Sequence, residues 1–223
     1  MLELSAVIKN DAAQQVSIVK TIGRVLDMCI LQPASKLPDD HSPMTLFDGR
    51  RPCPLKPSAY LRRMLQYTNA SPCTFLIAVV YLQRLKDQTG TLRLTAYNYQ
   101  RFLLTAVMVA SKTYDDFYAS NKQWALVGDL EVKEINALEL DLLFSLKFHC
   151  TVTREEYDES RTAIEDLFTA YSLQQTGAEP EQAGCEHEGS QASLVREFVC
   201  TQGSKTASLV GGAPGGPASP EQR

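Results

Sequence analysis

The sequence is short of the residues and motifs on which catalysis usually rests. It has three histidines, His41, His149 and His187, each in a different region, and a single tryptophan. No GxxxxGK[ST], GxGxxG, HExxH or GxSxG motif occurs, so there is no phosphate-cradling loop, dinucleotide turn, zinc-binding helix or nucleophile elbow. The six cysteines (Cys29, Cys53, Cys73, Cys150, Cys185, Cys200) form no CxxC pair. A chain of this size folds without disulfide staples, and they read as reduced thiols. Cys185-Glu186-His187 places a thiol near an imidazole, but no second pair stands at zinc-ligand spacing. No catalytic residue, metal site or cofactor is predicted.

Long apolar runs and basic clusters are missing as well. The longest apolar stretches, 75–82 and 102–110, fall far short of the roughly 20 residues that a membrane-spanning helix needs. The formal net charge is −4, and Arg62, Arg63, Lys86 and Arg93 are scattered without aromatic interleaving. That pattern offers no nucleic-acid groove. Residues 1–10 lack a basic segment followed by a long apolar one, so an intracellular location, cytoplasm and/or nucleus, is expected. Asp115-Asp116 is the nearest approach to paired carboxylates, and no further acids converge on it along the chain.

What the sequence does have is helical periodicity. Val16, Val19, Ile22, Val25, Leu26 and Ile30 predict an amphipathic helix over 12–31 whose apolar face needs a partner, either the rest of this chain or another protein. Six prolines from Pro33 to Pro57 then punctuate an extended lead-in, because proline fixes its own backbone and lacks a donor. Ser58 can cap a helix carrying Tyr60, Leu61, Met64, Leu65 and Tyr67. Ser71-Pro72 is a cap followed by a first-turn proline, opening a helix that is apolar almost all round over 75–82. Thr95 caps a third helix, 97–112, whose centre is again apolar on nearly every face. Two such helices require a central hub. A short helix fits 121–127, another fits 130–146 with Ile135, Leu138, Leu142 and Leu143 in step, and a last one fits 154–171. The fold class is all-α, five helices over 57–150 with additional N-terminal and C-terminal helices. The boundaries are 1–56, 57–150, 151–171 and 172–223. The last segment, rich in Gly, Ser, Gln, Glu and Pro, cannot bury enough apolar surface to offset chain entropy, and is expected to be disordered apart from one short helical stretch around 193–199.

The stretch Leu103-Leu104-Thr105-Ala106-Val107-Met108-Val109-Ala110-Ser111-Lys112, followed by Asp115-Asp116-Phe117-Tyr118 and by Asn121-Lys122-Gln123-Trp124-Ala125-Leu126-Val127-Gly128, closely resembles the cyclin box. The form it resembles is the phosphate-pathway, or P/U, type. Tyr60-Leu61-Arg62-Arg63, Tyr81-Leu82-Gln83-Arg84-Leu85 and the run from Val132 to Leu143 extend the likeness over 57–150. The resemblance implies a five-helix fold around a buried third helix, and a regulatory subunit that binds and allosterically activates a cyclin-dependent protein kinase. In that family a lysine ending the third helix and a glutamate on the fifth meet on the kinase-binding surface. Lys112 and Glu139 hold those positions, with Val109, Leu143, Phe148, Asp115 and Asp116 as the other kinase-binding residues. The first helix departs from the substrate-docking Met-Arg-Ala-Ile-Leu pattern of mitotic and G1 cyclins, which puts docking of that kind in doubt. The rival reading is a cyclin-box scaffold or adaptor for a non-kinase partner.

Overall fold

Two helices without a polar face decide the architecture. The computed structural model describes residues 12–30, 45–90 and 92–176, which form seven helices and no strand. They are α1 (Ala12–Ile30), α2 (Pro57–Tyr67), α3 (Pro72–Thr89), α4 (Tyr99–Tyr114), α5 (Asn121–Gly128), α6 (Val132–Ser145) and α7 (Arg154–Thr176). Every residue from Cys73 to Leu82 of α3 and from Phe102 to Ser111 of α4 is buried. Each large apolar side chain so enclosed stabilises the fold by about 1.5–3 kcal/mol. Such helices must be covered on all sides. They pack on each other, with α1 and α7 over α3, and α2, α5 and α6 over α4.

The N-terminal helix therefore finds its partner within the chain. Ile22, Val25 and Ile30 of α1 are buried in the common core. Gly23 marks its closest approach to α2, since a Cβ there would lie 2.8 Å from the Ser58 Cα. One turn on, the Asp27 carboxylate accepts from the Ser58 N–H at 2.9 Å and from the Ser58 hydroxyl at 2.5 Å. This corrects the expected cap. Pro57 already has the φ of a first helical residue, so α2 starts there with Lys56 as its N-cap. Ser58 lies inside the first turn, and its N–H is satisfied from α1.

The same device recurs at α3. Ser71 is the N-cap as expected, but its side chain makes no bond to its own helix; its N–H and hydroxyl both donate to the Asp115 carboxylate at the end of α4. Each proline-initiated helix is thus capped by a carboxylate from a neighbour, which ties helix start to helix packing.

Several helix boundaries differ from expectation, two of them for visible reasons. The α4 helix begins at Tyr99 rather than Tyr97, because Asn98 closes a turn, accepting from the Thr95 N–H at 2.7 Å and donating to the Arg93 carbonyl at 3.0 Å. At the other end α7 runs on to Thr176, so residues 172–176 are helical, not part of a disordered tail. Partners on α1 sustain it: Arg24 lies over the Phe168 ring at 5.7 Å, and the Cys29 thiol faces the Tyr171 hydroxyl. The rest of that tail, including 193–199, lies outside the described residues. The described part of the lead-in, 45–56, is irregular, pinned across the start of α4 by the stacked Phe47 and Phe102 rings, 4.1 Å apart.

Replacing Ile22 by Ala should lower stability by about 2–4 kcal/mol, the cost of a cavity at a closed core site. Urea unfolding of the full chain measures it; a loss below about 0.5 kcal/mol, typical of surface positions, would mean that α1 is not docked.

Candidate docking surface on the fourth and sixth helices

Lys112 lies in the last turn of α4, where its charge complements the helix dipole. Its Nζ donates to Glu139 Oε1 of α6 at 2.5 Å, the side chains being 25% and 16% exposed. The second oxygen of Glu139 accepts from Asn121 Nδ2 at 2.8 Å, and the same amide donates to Asn136 Oδ1 at 2.7 Å. Asn121 opens α5, so three helices meet at one carboxylate. The pair exists because α5 and α6 must both cover α4.

Beside it runs an apolar strip that folding leaves uncovered. The helix α6 turns Ile135, Leu138 and Leu142 inward. Leu140, Phe144 and Phe148 remain 55%, 66% and 59% exposed, and the last two rings meet edge to face at 5.3 Å. Phe117, 88% exposed, and Tyr118 follow the end of α4. Large exposed apolar groups, gathered as Leu140, Phe144 and Phe148 are, mark interaction sites.

Phe148 is held outward by its backbone. After the C-cap Leu146, the Lys147 N–H donates to the Phe144 carbonyl and the Phe148 N–H to the Leu143 carbonyl, each at 2.9 Å. This is the Schellman arrangement, with Lys147 at the left-handed position where glycine is customary. Phe148 is left-handed too, the φ values being 51° and 59°. Each such non-glycine residue costs roughly 1–2 kcal/mol, so the turn must be held by its surroundings.

The hub helices hold it. From α3, Arg84 donates to the His149 and Thr151 carbonyls at 2.7 and 2.9 Å and to Glu156 at 2.7 Å. Tyr81 donates to the Cys150 carbonyl at 2.6 Å. From α4, the Tyr114 hydroxyl accepts from the Val152 N–H at 2.6 Å and donates to the same Cys150 carbonyl at 3.3 Å. Burial raises both tyrosine pKa values, which keeps the hydroxyls protonated as donors. Burial also pulls the Glu156 carboxyl upward, but the Thr153 N–H and the Arg84 guanidinium outweigh it and hold the pKa below the ordinary carboxylate value.

Comparison with known proteins fits this geometry to a family. Residues 8–150 match the family model for cyclin. The chain belongs to the cyclin family. Among its relatives are Cyclin-U4-1 of Arabidopsis thaliana, 39% identical over 115 residues (52% of this chain, 57% of the relative), and Cyclin-U3-1 of the same plant, 38% identical over 114 residues (51% of each). Cyclin-P3-1 of Oryza sativa subsp. japonica is 37% identical over 113 residues, 51% of this chain and 48% of the relative. The chain spans about half the length of the curated relatives it matches. Family membership implies a cyclin-type regulatory role, and cyclins are regulatory subunits rather than enzymes.

In this cyclin the structure brings Lys112 and Glu139 together, sets Leu143 half-buried one turn beyond Glu139, and turns Phe148 to the outside. Val109 does not join them. It is 3% exposed and lies in the core, because α4 is enclosed on every side there, so it supports the surface from beneath. Asp115 is likewise turned away, its carboxylate occupied by Ser71 and by the Ser111 hydroxyl at 2.7 Å. Asp116 is exposed. Sequence reasoning missed Leu140, Phe144, Phe117 and Tyr118. A signal was present, since Leu140 and Phe144 are apolar at positions of α6 that the buried stripe does not use. Among the described residues no group of three or more His, Cys, Asp or Glu could hold a metal ion, and no helix is long and apolar enough to cross a membrane.

Two outcomes follow for stability. Lys147→Gly should stabilise the fold by up to about 1 kcal/mol by relieving the left-handed lysine, offset in part by glycine's entropy; a destabilised variant in urea unfolding would contradict the strained turn. Because Lys112 and Glu139 satisfy each other, Lys112→Ala and Glu139→Ala should be non-additive, with a coupling energy of about 0.5–2 kcal/mol. Additive losses in that double-mutant cycle would show that the pair is not formed in solution.

Proposed function

We propose that this cyclin binds a cyclin-dependent protein kinase through the Lys112–Glu139 surface and activates it allosterically, with no chemistry of its own. The observation that carries the reading is the ion pair of Lys112 and Glu139 standing beside the uncovered strip of Leu140, Phe144 and Phe148. Kinase activity needs a strand lysine paired with a C-helix glutamate and an ordered activation segment. A partner that binds the active arrangement more tightly shifts the kinase population toward it; a shift from 1:99 to 99:1 takes a preference of about 5.5 kcal/mol.

The surface suits that task. An apolar strip with aromatic anchors can supply most of the affinity for a helix laid across it. Lys112 keeps further N–H donors and Glu139 further lone pairs after they have paired, so both can also satisfy backbone groups of the kinase. Their mutual bond fixes both side chains before the kinase arrives, which lowers the ordering cost of binding. A kinase of this kind places the protein inside the cell, in cytoplasm and/or nucleus.

A pull-down with the tagged full chain should recover a protein kinase whose complex phosphorylates histone-type substrates. Lys112→Ala with Glu139→Ala should weaken that complex by roughly two orders of magnitude, about 2.7 kcal/mol, while leaving the helical circular dichroism unchanged. Capture of a non-kinase protein without any phosphorylation would favour an adaptor role instead.

A further inference from the structure

The Schellman turn after α6 accounts for the left-handed Lys147, since such a turn needs one residue of that kind. The second, Phe148, belongs to a tight turn closed by the His149 N–H donating to the Leu146 carbonyl at 2.9 Å, whose two central residues are both left-handed, a conformation usually left to glycine, asparagine or aspartate. A bulky aromatic residue there is an outlier that something must hold in place. Its own carbonyl accepts from the Cys150 N–H at 2.9 Å, and the side chains that hold the segment begin at the next residue. Arg84, Tyr81 and Tyr114 take the carbonyls of His149, Cys150 and Thr151 and the N–H of Val152 in turn. On its other side Phe148 is fixed to α6 through the Leu143 carbonyl. Between these two anchored flanks the ring stands outward, 59% exposed, against the Phe144 ring.

A simple tie between α7 and the hub would require only the Arg84–Glu156 pair. Here the guanidinium fork also spans two carbonyls, and two tyrosines share the one between them. All three side chains come from the two hub helices, α3 and α4, each buried over ten consecutive residues. The effect is to couple the orientation of an exposed ring to the buried centre of the fold.

We infer that Arg84, with Tyr81 and Tyr114, is a positioning residue that holds Phe148 against Phe144 in the outward pose, and thereby sets the affinity of the docking surface. The second half rests on the kinase-docking reading; the first half does not. Arg84 acts through Phe148 and makes no contact with the partner.

The test uses the full chain and two readouts. By NMR, the wild-type protein should show a nuclear Overhauser contact between the Phe144 and Phe148 rings, and Arg84→Gln should lose it while retaining its helical circular dichroism. The Tyr81→Phe, Tyr114→Phe double variant, which removes only two hydroxyls, carries the same comparison should Arg84→Gln fail to fold. Persistence of the ring contact in the folded variant overturns the inference, whatever the partner. With the kinase recovered in the pull-down, Arg84→Gln should weaken binding by about tenfold, and adding it to Phe148→Ala should weaken binding no further than Phe148→Ala alone. Independent, additive losses overturn the claim that Arg84 works through Phe148. If Phe148→Ala binds the kinase as well as wild type while Arg84→Gln still loses the ring contact, the docking reading falls and the positioning role stands.

Discussion

A helix that is apolar on every face is stable in water only when other elements enclose it, and α4 is such a helix from Phe102 to Ser111. The α3 helix shares the condition, and the remaining helices take the places the pair leaves open. Directional bonds then fix how the cover sits. Asp27 and Asp115 reach from one helix to cap the start of another, at α2 and α3 respectively, so two helix starts are specified by tertiary structure rather than by their own side chains. The short α5 is anchored by Trp124, which is completely buried, and closes against α4 at Gly128, where a Cβ would strike Leu104.

The candidate surface is a consequence of the same enclosure. Lys112 follows the last wholly buried residue of α4, and its ammonium emerges where α5 and α6 converge. There it meets Glu139, which Asn121 holds from the other side. Enclosure ends along α6, whose inner stripe covers α4 while Leu140 and Phe144 face outward. The strained turn at Lys147 and Phe148 adds a third exposed apolar group to that strip. Ordinary folding would hide these groups; left uncovered, they form an apolar strip of the kind that marks interaction sites.

Much of this was legible in the sequence because it follows from periodicity. The all-round apolar runs foretold the hub, and the family motif singled out Lys112 and Glu139. Three kinds of feature were misread or not legible. Helix starts set by a neighbour cannot be read locally, which is why Ser58 looked like a cap and Asp115 like a surface acid. The motif grouped Val109 with the docking residues, although it lies in the all-round apolar run of α4, buried without a break from Phe102 to Ser111. The double left-handed turn carried no signal at all: no glycine marks it, and the side chains that hold it, Arg84, Tyr81 and Tyr114, are 64, 67 and 34 positions away from Phe148 by number.

The central claim is that the partner covers the end of α4 and the outer face of α6. Hydrogen–deuterium exchange of the full chain, alone and with the kinase proposed as its partner, tests this directly. Slower exchange on binding is predicted for 111–120 and 139–150, with the face formed by α2 and α5, where Tyr67 and Leu126 are exposed, unchanged. Protection confined to that second face, with α6 unaffected, would contradict the claim and move the docking site to the α2–α5 face.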